Sequence, residues 1–264
     1  GDSISTQQYR SLICQLEQYS QPSLLIQINS LNLTKNKVNH IQSWLCISFQ
    51  YNVSICWADD VVNRGNKFKK MNEPDILIWN VAGLHSHSEN DHYQKLMRLI
   101  YYTRKNQYYP FNRTNNIERL IIYRETTPQA FAGSITGDYD QRDEKIAYCQ
   151  SPYFNPKYQN ISYNYNRDEN QSYNPYNISN ISHNLTNYLT YRQKLERSIL
   201  PSRKIPLLYI HDITLLRGTE QYIGFPDCSH FCDPGTPQIW NQLLYEYVIN
   251  SPIIPLIQKN KIKG

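Results

Sequence analysis

Two short stretches near opposite ends of the chain carry side chains that can act together in nucleophilic chemistry. The first, "GDS", sets the hydroxyl of Ser3 just before a segment of helical periodicity, and the second, "DCSH", places Asp227 three residues before His230. A carboxylate beside an imidazole fixes the ring's tautomer and stabilises its protonated form, so that the ring can take a proton from a serine hydroxyl. On its own, each stretch favours a simpler interpretation. Ser3 is then a helix N-cap whose first turn Gln7 helps to close, and Asp227 is a helix cap beside a surface histidine.

The spacing of the carboxylate and the imidazole also predicts the local structure that carries them. Asp227 and His230 are three residues apart, so we expect them to share one face of a turn or a short helix. Cys228 and Cys232 flank the histidine in "DCSHFC". Cross-links at these two cysteines would hold the turn in the fixed geometry that catalysis requires.

The rest of the chain alternates short apolar runs with segments of helical periodicity, which is typical of an α/β domain. After Ser3, apolar side chains recur at three- and four-residue steps as far as Tyr19 and predict an amphipathic helix. The apolar runs are nearly continuous, as in strands buried on both faces of a parallel sheet, and span 24–28, 44–49, 53–57, 75–79, 119–123 and 206–210. Further helices are predicted at 91–105, 184–199 and 236–250. We therefore expect one doubly wound α/β domain over residues 1–264.

Residues 151–183 interrupt this pattern, because they are rich in Tyr, Asn, Ser and Pro and poor in aliphatic side chains. Such a composition cannot bury enough apolar surface to form a core. We predict a surface insertion within the domain. Drift in composition explains this segment at least as well as a role in binding does.

Cysteines and glycosylation sequences favour an oxidising compartment. The six cysteines are an even number whose spacing matches no zinc site, which makes disulfides the better interpretation; they are Cys14, Cys46, Cys56, Cys149, Cys228 and Cys232. N-x-[ST] sequences begin at Asn32, Asn52, Asn112, Asn160, Asn170, Asn177, Asn180 and Asn184. Together these features predict a protein of the secretory pathway, in the Golgi lumen or outside the cell.

Charge and hydropathy argue against several classes of function. The net charge is +5, basic clusters occur only at 63–70 and in the C-terminal tail, and no nucleic-acid-binding motif accompanies them. We expect no nucleic-acid partner. No apolar run approaches the ~20 residues that a membrane-spanning helix needs. Because the sequence starts at the serine motif itself, we expect a domain of a longer precursor, with any membrane anchor upstream of residue 1.

The serine motif at the start and the D-x-x-H motif near the end resemble, in this order, the SGNH/GDSL hydrolase superfamily, and within it the PC-esterase group of trichome-birefringence-like polysaccharide O-acetyltransferases. "GDSISTQQYRSLICQL" resembles the nucleophile block of that group, "FQYNVSICW" its next strand and "DILIWNVAGLH" its Asn/Gly block. "LIIYRETTPQAF" is similar to its R-x-[TS]-x-x-[HF] strand end, and "DCSHFCDPGTPQIWNQLLYEY" is the strongest match. The resemblance spans the chain except for the insertion.

This resemblance implies a fold and a set of roles. The fold is an SGNH-hydrolase-like (flavodoxin-like) three-layer α/β/α domain with a mostly parallel sheet. In it, Ser3 is the nucleophile, His230 takes its proton and Asp227 orients and stabilises the imidazolium. The oxyanion donors that the resemblance nominates are the Ser3 N–H, Asn80 and Gly83.

Other positions of the resembling blocks are candidates for binding. Arg124 ends a predicted strand, where it would face the ligand crevice, and an ion pair with Glu125 is an equal alternative. His85, in "HSH", is expected near the mouth of the site as a substrate contact. No cysteine or carboxylate is spaced to complete a metal site there, so we expect no metal. Ala130 occupies a slot where the family pattern leads us to expect His.

The resembling blocks also bear on the cysteines. They place Cys14 and Cys149 near the loop that carries Cys228 and Cys232. The resemblance therefore implies that Cys228 and Cys232 each pair with one of these two distant cysteines, in either assignment.

The activity that the resemblance implies is transfer of an acyl group, in the first place acetyl, to a glycan hydroxyl through an acyl-enzyme on Ser3. The partners are then a glycan acceptor and an acetyl donor, and no cofactor is expected because a donor such as an acetyl ester or acetyl-CoA is a substrate. A carbohydrate acetyl-esterase with the same three residues, in which water receives the acyl group, is the nearest alternative. A glycan-binding module that has lost turnover is another, which Ala130 leaves open.

Overall fold

The computed structural model describes most of the predicted elements. The described residues are 3–17, 44–49, 53–58, 76–80, 86–105, 108, 119–154, 185–217, 222–224, 227–232 and 235–251. The apolar run at 24–28, Gly83, His85 and the asparagines of the N-x-[ST] sequences lie outside them, as does the predicted insertion from residue 155 onward.

Helices and strands form close to where periodicity predicts them. The described helices are α1 (Ser3–Glu17), α2 (Glu89–Lys105), α3 (Tyr191–Ser202), α4 (His211–Leu216) and α5 (Thr236–Asn250). The described strands are β1 (Trp44–Phe49), β2 (Val53–Ala58), β3 (Ile76–Trp79), β4 (Leu120–Arg124), β5 (Leu207–Leu208), β6 (Tyr222–Gly224) and β7 (Asp227–Phe231). The helix predicted from residue 184 starts later, because Thr190 and Gln193 form a capping box at the first turn of α3.

A parallel sheet lies at the centre of the described domain. Its strands run in the order β3–β4–β5, with Ile78 opposite Ile122 and Tyr123 opposite Leu207. The connections between these strands contain α2 and α3, as parallel pairing requires. Every residue of β4 is buried, which explains why this strand reads as a continuous apolar run.

Alternate side chains of β4 face two separate helical layers. Leu120 and Ile122 belong to a core cluster with Ile4 of α1 and with Trp240 and Leu244 of α5. On the opposite face, Ile121 and Tyr123 belong to a cluster with side chains of α2 and α3, namely Leu96, Leu99, Ile100, Leu195, Ile199 and Leu200. Because successive strand residues point to opposite faces, the sheet has helices on both sides. The domain is α/β with a three-layer α/β/α arrangement, compatible with an SGNH-like fold.

The two apolar runs at 44–49 and 53–57 differ from expectation. They form β1 and β2, which pair with each other in antiparallel orientation, with Cys46 opposite Cys56. A parallel pair needs a crossover of about a dozen residues or more, and only residues 50–52 join these strands. The interpretation of both runs as parallel-sheet strands was therefore wrong.

A buried charge cluster follows the carboxyl end of β4. The carboxylate of Glu125 accepts hydrogen bonds from Arg197 Nε (2.6 Å) and from the N–H groups of Ile210 (3.1 Å) and His211 (2.9 Å). Burial raises the pKa of Glu125 despite the guanidinium beside it. Arg197 also donates to Asp212 Oδ1 (2.8 Å). This cluster joins β4, α3 and α4.

The carboxyl group of Asp212 makes the free energy of unfolding depend on pH at the acidic end of the scale. Burial raises the pKa of its carboxyl group, but hydrogen bonds from His211 and Arg197 outweigh burial and bring the pKa to about 2, below the ordinary 3.8. A depressed folded-state pKa means that the carboxylate stabilises the fold above about pH 4 and that this contribution disappears as pH falls toward 2. A shift of this size corresponds to about 2 kcal/mol, which solvent screening of a side chain that is 35% exposed reduces to about 1 kcal/mol.

We therefore expect Asp212→Asn to unfold in urea with about 1 kcal/mol less stability than the wild-type chain at pH 6. The difference should shrink between pH 4 and pH 2, where the wild-type carboxylate takes up its proton. A difference that stays constant over this range would show that packing, rather than the charge of Asp212, is its source.

One disulfide links β7 to the loop after β4. Cys149 and Cys228 are bonded across a sequence separation of 79 residues, which confirms one of the two implied pairings. The other is not formed, because Cys14 is an exposed thiol.

Removing this bond should destabilise the domain substantially. A cross-link over a loop of this length restricts the unfolded chain, so we expect Cys149→Ser to lower the free energy of unfolding by about 4 kcal/mol. The double variant Cys149→Ser/Cys228→Ser should lose about as much, since the same bond is removed. Urea unfolding without reductant provides the measurement, and Cys14→Ser is the matched control, expected within about 0.5 kcal/mol of wild type. Equal losses in Cys14→Ser and Cys149→Ser would contradict this assignment.

Two kinds of feature are absent from the described residues. None of the described helices combines the length and apolar character needed to cross a bilayer. The same residues contain no group of three His, Cys, Asp or Glu side chains placed to bind a metal ion.

Candidate active site

Ser3 and His230 lie in contact although 227 positions separate them. Ser3 is the first residue of α1 and is exposed, and its Oγ lies 2.6 Å from Nε2 of His230 in β7. Transfer of a proton from Ser3 to His230, the role that the resemblance implies, needs the two side chains at such a distance. The amino end of a helix carries unpaired N–H groups and a partial positive charge, so negative charge is stabilised beside Ser3.

Asp227 lies on the other side of the imidazole. Its Oδ2 is 2.7 Å and its Oδ1 2.9 Å from Nδ1 of His230. A carboxylate can only accept hydrogen bonds, so Nδ1 carries the proton that it donates to Asp227. Nε2 of the neutral ring is then the acceptor for the hydroxyl of Ser3. This arrangement can take a proton from Ser3 and hold the resulting imidazolium next to a negative charge.

The local structure around these residues differs from the predicted turn or short helix. Asp227 and His230 lie on β7, which pairs in antiparallel orientation with β6, with a register shift between Tyr222 and Gly224. Residues three apart on a regular strand point to opposite faces. Here the Asp227 carboxylate bends toward the residues that follow it, because its Oδ1 accepts hydrogen bonds from the backbone N–H groups of Ser229 and His230, both at 3.2 Å.

The same hydrogen bonds explain the charge state of Asp227. Burial raises the pKa of its carboxyl group, but the bond from the His230 ring and those from the Ser229 and His230 N–H groups lower it more, so that the net shift is downward. The carboxylate therefore remains ionised in neutral and mildly acidic solution.

A loop after β4 holds β7 from the side of Cys228. Gln129 Nε2 donates to Ser229 Oγ (2.6 Å), and the Ala130 N–H donates to the Cys228 carbonyl (2.9 Å). The Cys149–Cys228 disulfide joins the same region. Ala130 is fully buried in this packing. The slot where a histidine was expected thus holds a buried methyl group, which belongs to the same core cluster as Cys228.

Arg124 lies beneath the start of α1. It is 2% exposed, its guanidinium donates to Ser5 Oγ (3.1 Å), and it lies over the Trp240 ring at 5.5 Å. Glu125, the alternative partner, pairs with Arg197 instead. At this depth Arg124 supports the first turn of α1, in which Ser3 lies.

The structure describes two of the three expected oxyanion donors, Ser3 and Asn80. The backbone N–H of Ser3 is at the helix start, and Asn80 directly follows β3, buried, with its Nδ2 donating to the Arg124 carbonyl (3.0 Å). Gly83 lies outside the described residues, and so does His85. Asn80 and the residue pair 124–125 mark the carboxyl ends of adjacent parallel strands, the edge at which such sheets bind ligands.

A second row of serine, histidine and carboxylate occurs in the core. Ser86 Oγ is 2.9 Å from His92 Nδ1, and His92 Nε2 is 3.0 Å from Glu196 Oε1. All three side chains are buried, and Glu196 also accepts from the Tyr123 hydroxyl (2.8 Å). A hydroxyl inside the core cannot meet a dissolved substrate, so this row ties α2, β4 and α3 together. Exposure of the hydroxyl distinguishes Ser3 from Ser86.

Sequence reasoning missed two glutamines that hold β7. Gln7 was expected to close the first turn of α1, but its carboxamide contacts the backbone of Phe231. Gln129 bonds to Ser229. Nothing in their local sequence signals these contacts, because each partner is about a hundred residues or more distant.

Comparison with known proteins gives a partial similarity. No family model matches the chain, and no solved structure does either. Over 71 residues, 25% of this chain, it is 31% identical to xylan O-acetyltransferase 13 and to xylan O-acetyltransferase 12, both from Oryza sativa subsp. japonica. That stretch spans 12% of the length of each rice protein. The geometry around Ser3 is thus accompanied by a limited similarity to two polysaccharide O-acetyltransferases.

Proposed function

We propose that this chain is an O-acetyltransferase that acts on polysaccharide hydroxyls through an acyl-enzyme on Ser3. The observation that carries the proposal is the continuous row of contacts from Ser3 Oγ through His230 to Asp227, at 2.6 and 2.7 Å. The partial similarity to rice xylan O-acetyltransferases supports acetyl as the group and a polysaccharide as the acceptor.

In the first half-reaction, Ser3 Oγ attacks the carbonyl carbon of the acetyl donor while its proton passes to His230 Nε2. Asp227 stabilises the imidazolium through Nδ1. The tetrahedral intermediate then collapses, the bond from carbon to the donor's oxygen or sulfur breaks, and Nε2 returns the proton to this leaving group. The product is acetyl-Ser3 and a neutral imidazole.

In the second half-reaction, a sugar hydroxyl gives its proton to Nε2 and attacks the acetyl-Ser3 carbonyl. Collapse of the second tetrahedral intermediate breaks the bond to Ser3 Oγ, which recovers the proton. The acetyl group ends on the sugar, and the enzyme returns to its starting state. The donor, an acetyl ester or acetyl-CoA, is consumed as a substrate, so the cycle needs no cofactor.

Each tetrahedral intermediate places negative charge on the former carbonyl oxygen. Preorganised donors at this position typically contribute about 3 kcal/mol each. The N–H of Ser3, at the start of α1, is the donor that we propose first, since the helix end favours negative charge there. Asn80, at the end of β3, and Gly83 complete the proposed set. Arg124 supports the turn that carries Ser3, and we propose His85 as a contact to substrate.

Hydrolysis is the second candidate, because Ser3 is exposed and water can reach its acyl group. The same three residues then act as a carbohydrate acetyl-esterase. The two candidates differ only in whether water or a sugar hydroxyl accepts the acetyl group. A glycan-binding module without turnover, the third possibility, would make no acetyl-Ser3.

The Cys149–Cys228 disulfide fits an oxidising compartment. We propose that the chain works in the lumen of the secretory pathway, such as the Golgi, or outside the cell, where the asparagines of its N-x-[ST] sequences would be accessible to glycosylation. Its partners are a glycan and an acetyl donor.

The test offers the purified protein 4-nitrophenyl acetate with and without xylo-oligosaccharides. Mass spectrometry follows acetyl on Ser3, on the oligosaccharide and as free acetate. Acetylated sugar formed by the wild-type chain and not by Ser3→Ala supports transfer, whereas acetate alone supports the esterase. Absence of acetyl from both Ser3 and the sugar, together with acetate release no faster than from Ser3→Ala, would refute the acyl-enzyme in folded protein.

A further inference from the structure

Gln7 forms two reciprocal hydrogen bonds with the backbone of one residue in β7. Its Nε2 donates to the Phe231 carbonyl (2.9 Å), and its Oε1 accepts from the Phe231 N–H (3.2 Å). This is the pattern that a neighbouring strand makes with a residue whose two backbone groups face it. The carboxamide of Gln7 thus takes the place of a peptide group of an added strand.

Both ends of this contact adjoin the candidate active site. Gln7 is four residues after Ser3 on α1, so the two side chains lie on the same face of the helix, one turn apart. Phe231 directly follows His230 and is itself fixed in the core, where its ring meets Trp240 edge-on at 5.1 Å. The bonds therefore connect the helix that carries the hydroxyl with the strand that carries the imidazole, one residue and one turn from the Ser3–His230 contact.

We propose that Gln7 is a positioning residue that sets the distance between Ser3 Oγ and His230 Nε2. The proposal rests on the proposed function, because it assigns Gln7 a role in activating Ser3. The hydrogen bond between Ser3 and His230 joins two exposed or half-buried side chains on separate elements, and each element can shift as a body. Two bonds of opposite direction to one peptide position fix both the spacing and the register of α1 against β7, which a single bond or apolar packing does not.

The expected loss of rate in a Gln7 variant can be estimated from the effect of displacing two reacting groups. A displacement of about 1 Å can reduce a rate about 100-fold. Gln7→Leu keeps the approximate size of the side chain and removes both bonds, so we expect it to slow reaction at Ser3 by about 10- to 100-fold. Binding of the acceptor glycan should be unchanged, because Gln7 contacts the protein backbone.

The chain offers a matched control on the same helix. Gln15 also links α1 to another element by donating and accepting, with Nε2 donating to the Gln238 carbonyl (3.4 Å) and Oε1 accepting from Asn241 (2.9 Å). Its partners belong to α5, and it lies three turns from Ser3. Gln15→Leu should lower the melting temperature without slowing reaction at Ser3.

The experiment measures the rate at which a fluorophosphonate labels Ser3 in the whole chain. In this reaction Ser3 Oγ bonds to phosphorus, fluoride leaves, and the serine proton passes to His230, so no acetyl donor or glycan is involved. Mass spectrometry of the modified peptide locates the label, and thermal unfolding confirms that each variant is folded. Slow labelling in Gln7→Leu with normal labelling in Gln15→Leu is the expected result.

Gln7→Glu separates positioning from general packing and serves as a second variant if Gln7→Leu does not fold. A neutral carboxylic acid can donate to the Phe231 carbonyl and accept from its N–H, as the amide does, whereas the carboxylate can only accept. Its labelling rate relative to wild type should therefore rise as pH falls from 7 to 5. A new carboxylate near His230 would favour the protonated ring and act in the opposite direction, so this rise is diagnostic.

The results discriminate between two failures. Wild-type labelling rates in both Gln7→Leu and Gln7→Glu, or equal slowing in Gln7→Leu and Gln15→Leu, would overturn the role of Gln7 and leave the proposed function intact. A wild-type chain that is folded yet takes no label at Ser3 would overturn the proposed function, and the role of Gln7 with it.

Discussion

Ser3→Ala should abolish acyl-enzyme formation and reduce acetyl transfer or release by about 10⁴-fold or more. The hydroxyl of Ser3 is exposed and lies 2.6 Å from His230 Nε2, whereas the serine of the similar row, Ser86, is buried. Alanine leaves no atom to attack the carbonyl. The rate of acetyl release from 4-nitrophenyl acetate and mass spectrometry of the protein provide the two measurements.

His230→Ala should cost nearly as much, since a serine hydroxyl without a base is a poor nucleophile at neutral pH. The double variant Ser3→Ala/His230→Ala should be scarcely slower than either single variant, because residues that act as a unit have non-additive effects. Ser11→Ala is the matched control on α1. The Ser11 hydroxyl is buried and bonds to none of the described residues, so its loss should leave activity unchanged. Wild-type activity in folded Ser3→Ala would show that Ser3 only begins a helix and takes no part in catalysis.

Asp227→Asn should reduce turnover by about 10³- to 10⁴-fold while leaving the fold intact. Asp227 Oδ1 accepts from the Ser229 and His230 N–H groups, and an asparagine keeps its carbonyl oxygen on them. The amide nitrogen then replaces Oδ2, which lies 2.7 Å from the imidazole Nδ1, and donates to it. Nδ1 must become the acceptor, the ring proton moves to Nε2, and Nε2 can no longer accept from Ser3.

The control for this replacement is Asp212→Asn. Asp212 also pairs with an imidazole, at 3.0 Å from Nδ1 of His211, but Nε2 of that ring contacts no hydroxyl among the described residues. We expect Asp212→Asn to show the acid-dependent loss of stability argued above and to retain its turnover. Circular dichroism checks the fold of both variants. Similar losses of turnover in the two would mean that fold stability, rather than the tautomer of His230, explains the effect.

The sequence alone was sufficient for features that arise from local pattern and burial. Continuous apolar runs identified β3, β4 and β5. The physical reason is clearest in β4, which is buried along its whole length between helices on both faces. Three- and four-residue periodicity identified α1, α2 and α5. Ser3, Asp227 and His230 were singled out as a candidate catalytic set by their residue types together with the family resemblance of their order along the chain.

Only the tertiary structure decided which distant groups meet. Local patterns carry no information on distant partners, so the depth of Arg124 and the contacts of Gln7 and Gln129 could not be predicted. Of the implied disulfides, the Cys149–Cys228 bond forms, whereas Cys14 is an exposed thiol. The distance of 2.6 Å between Ser3 and His230 depends on how a helix and a strand from opposite ends of the chain pack into one core cluster. Packing of that kind is a property of the whole core, and no short stretch of the sequence encodes it.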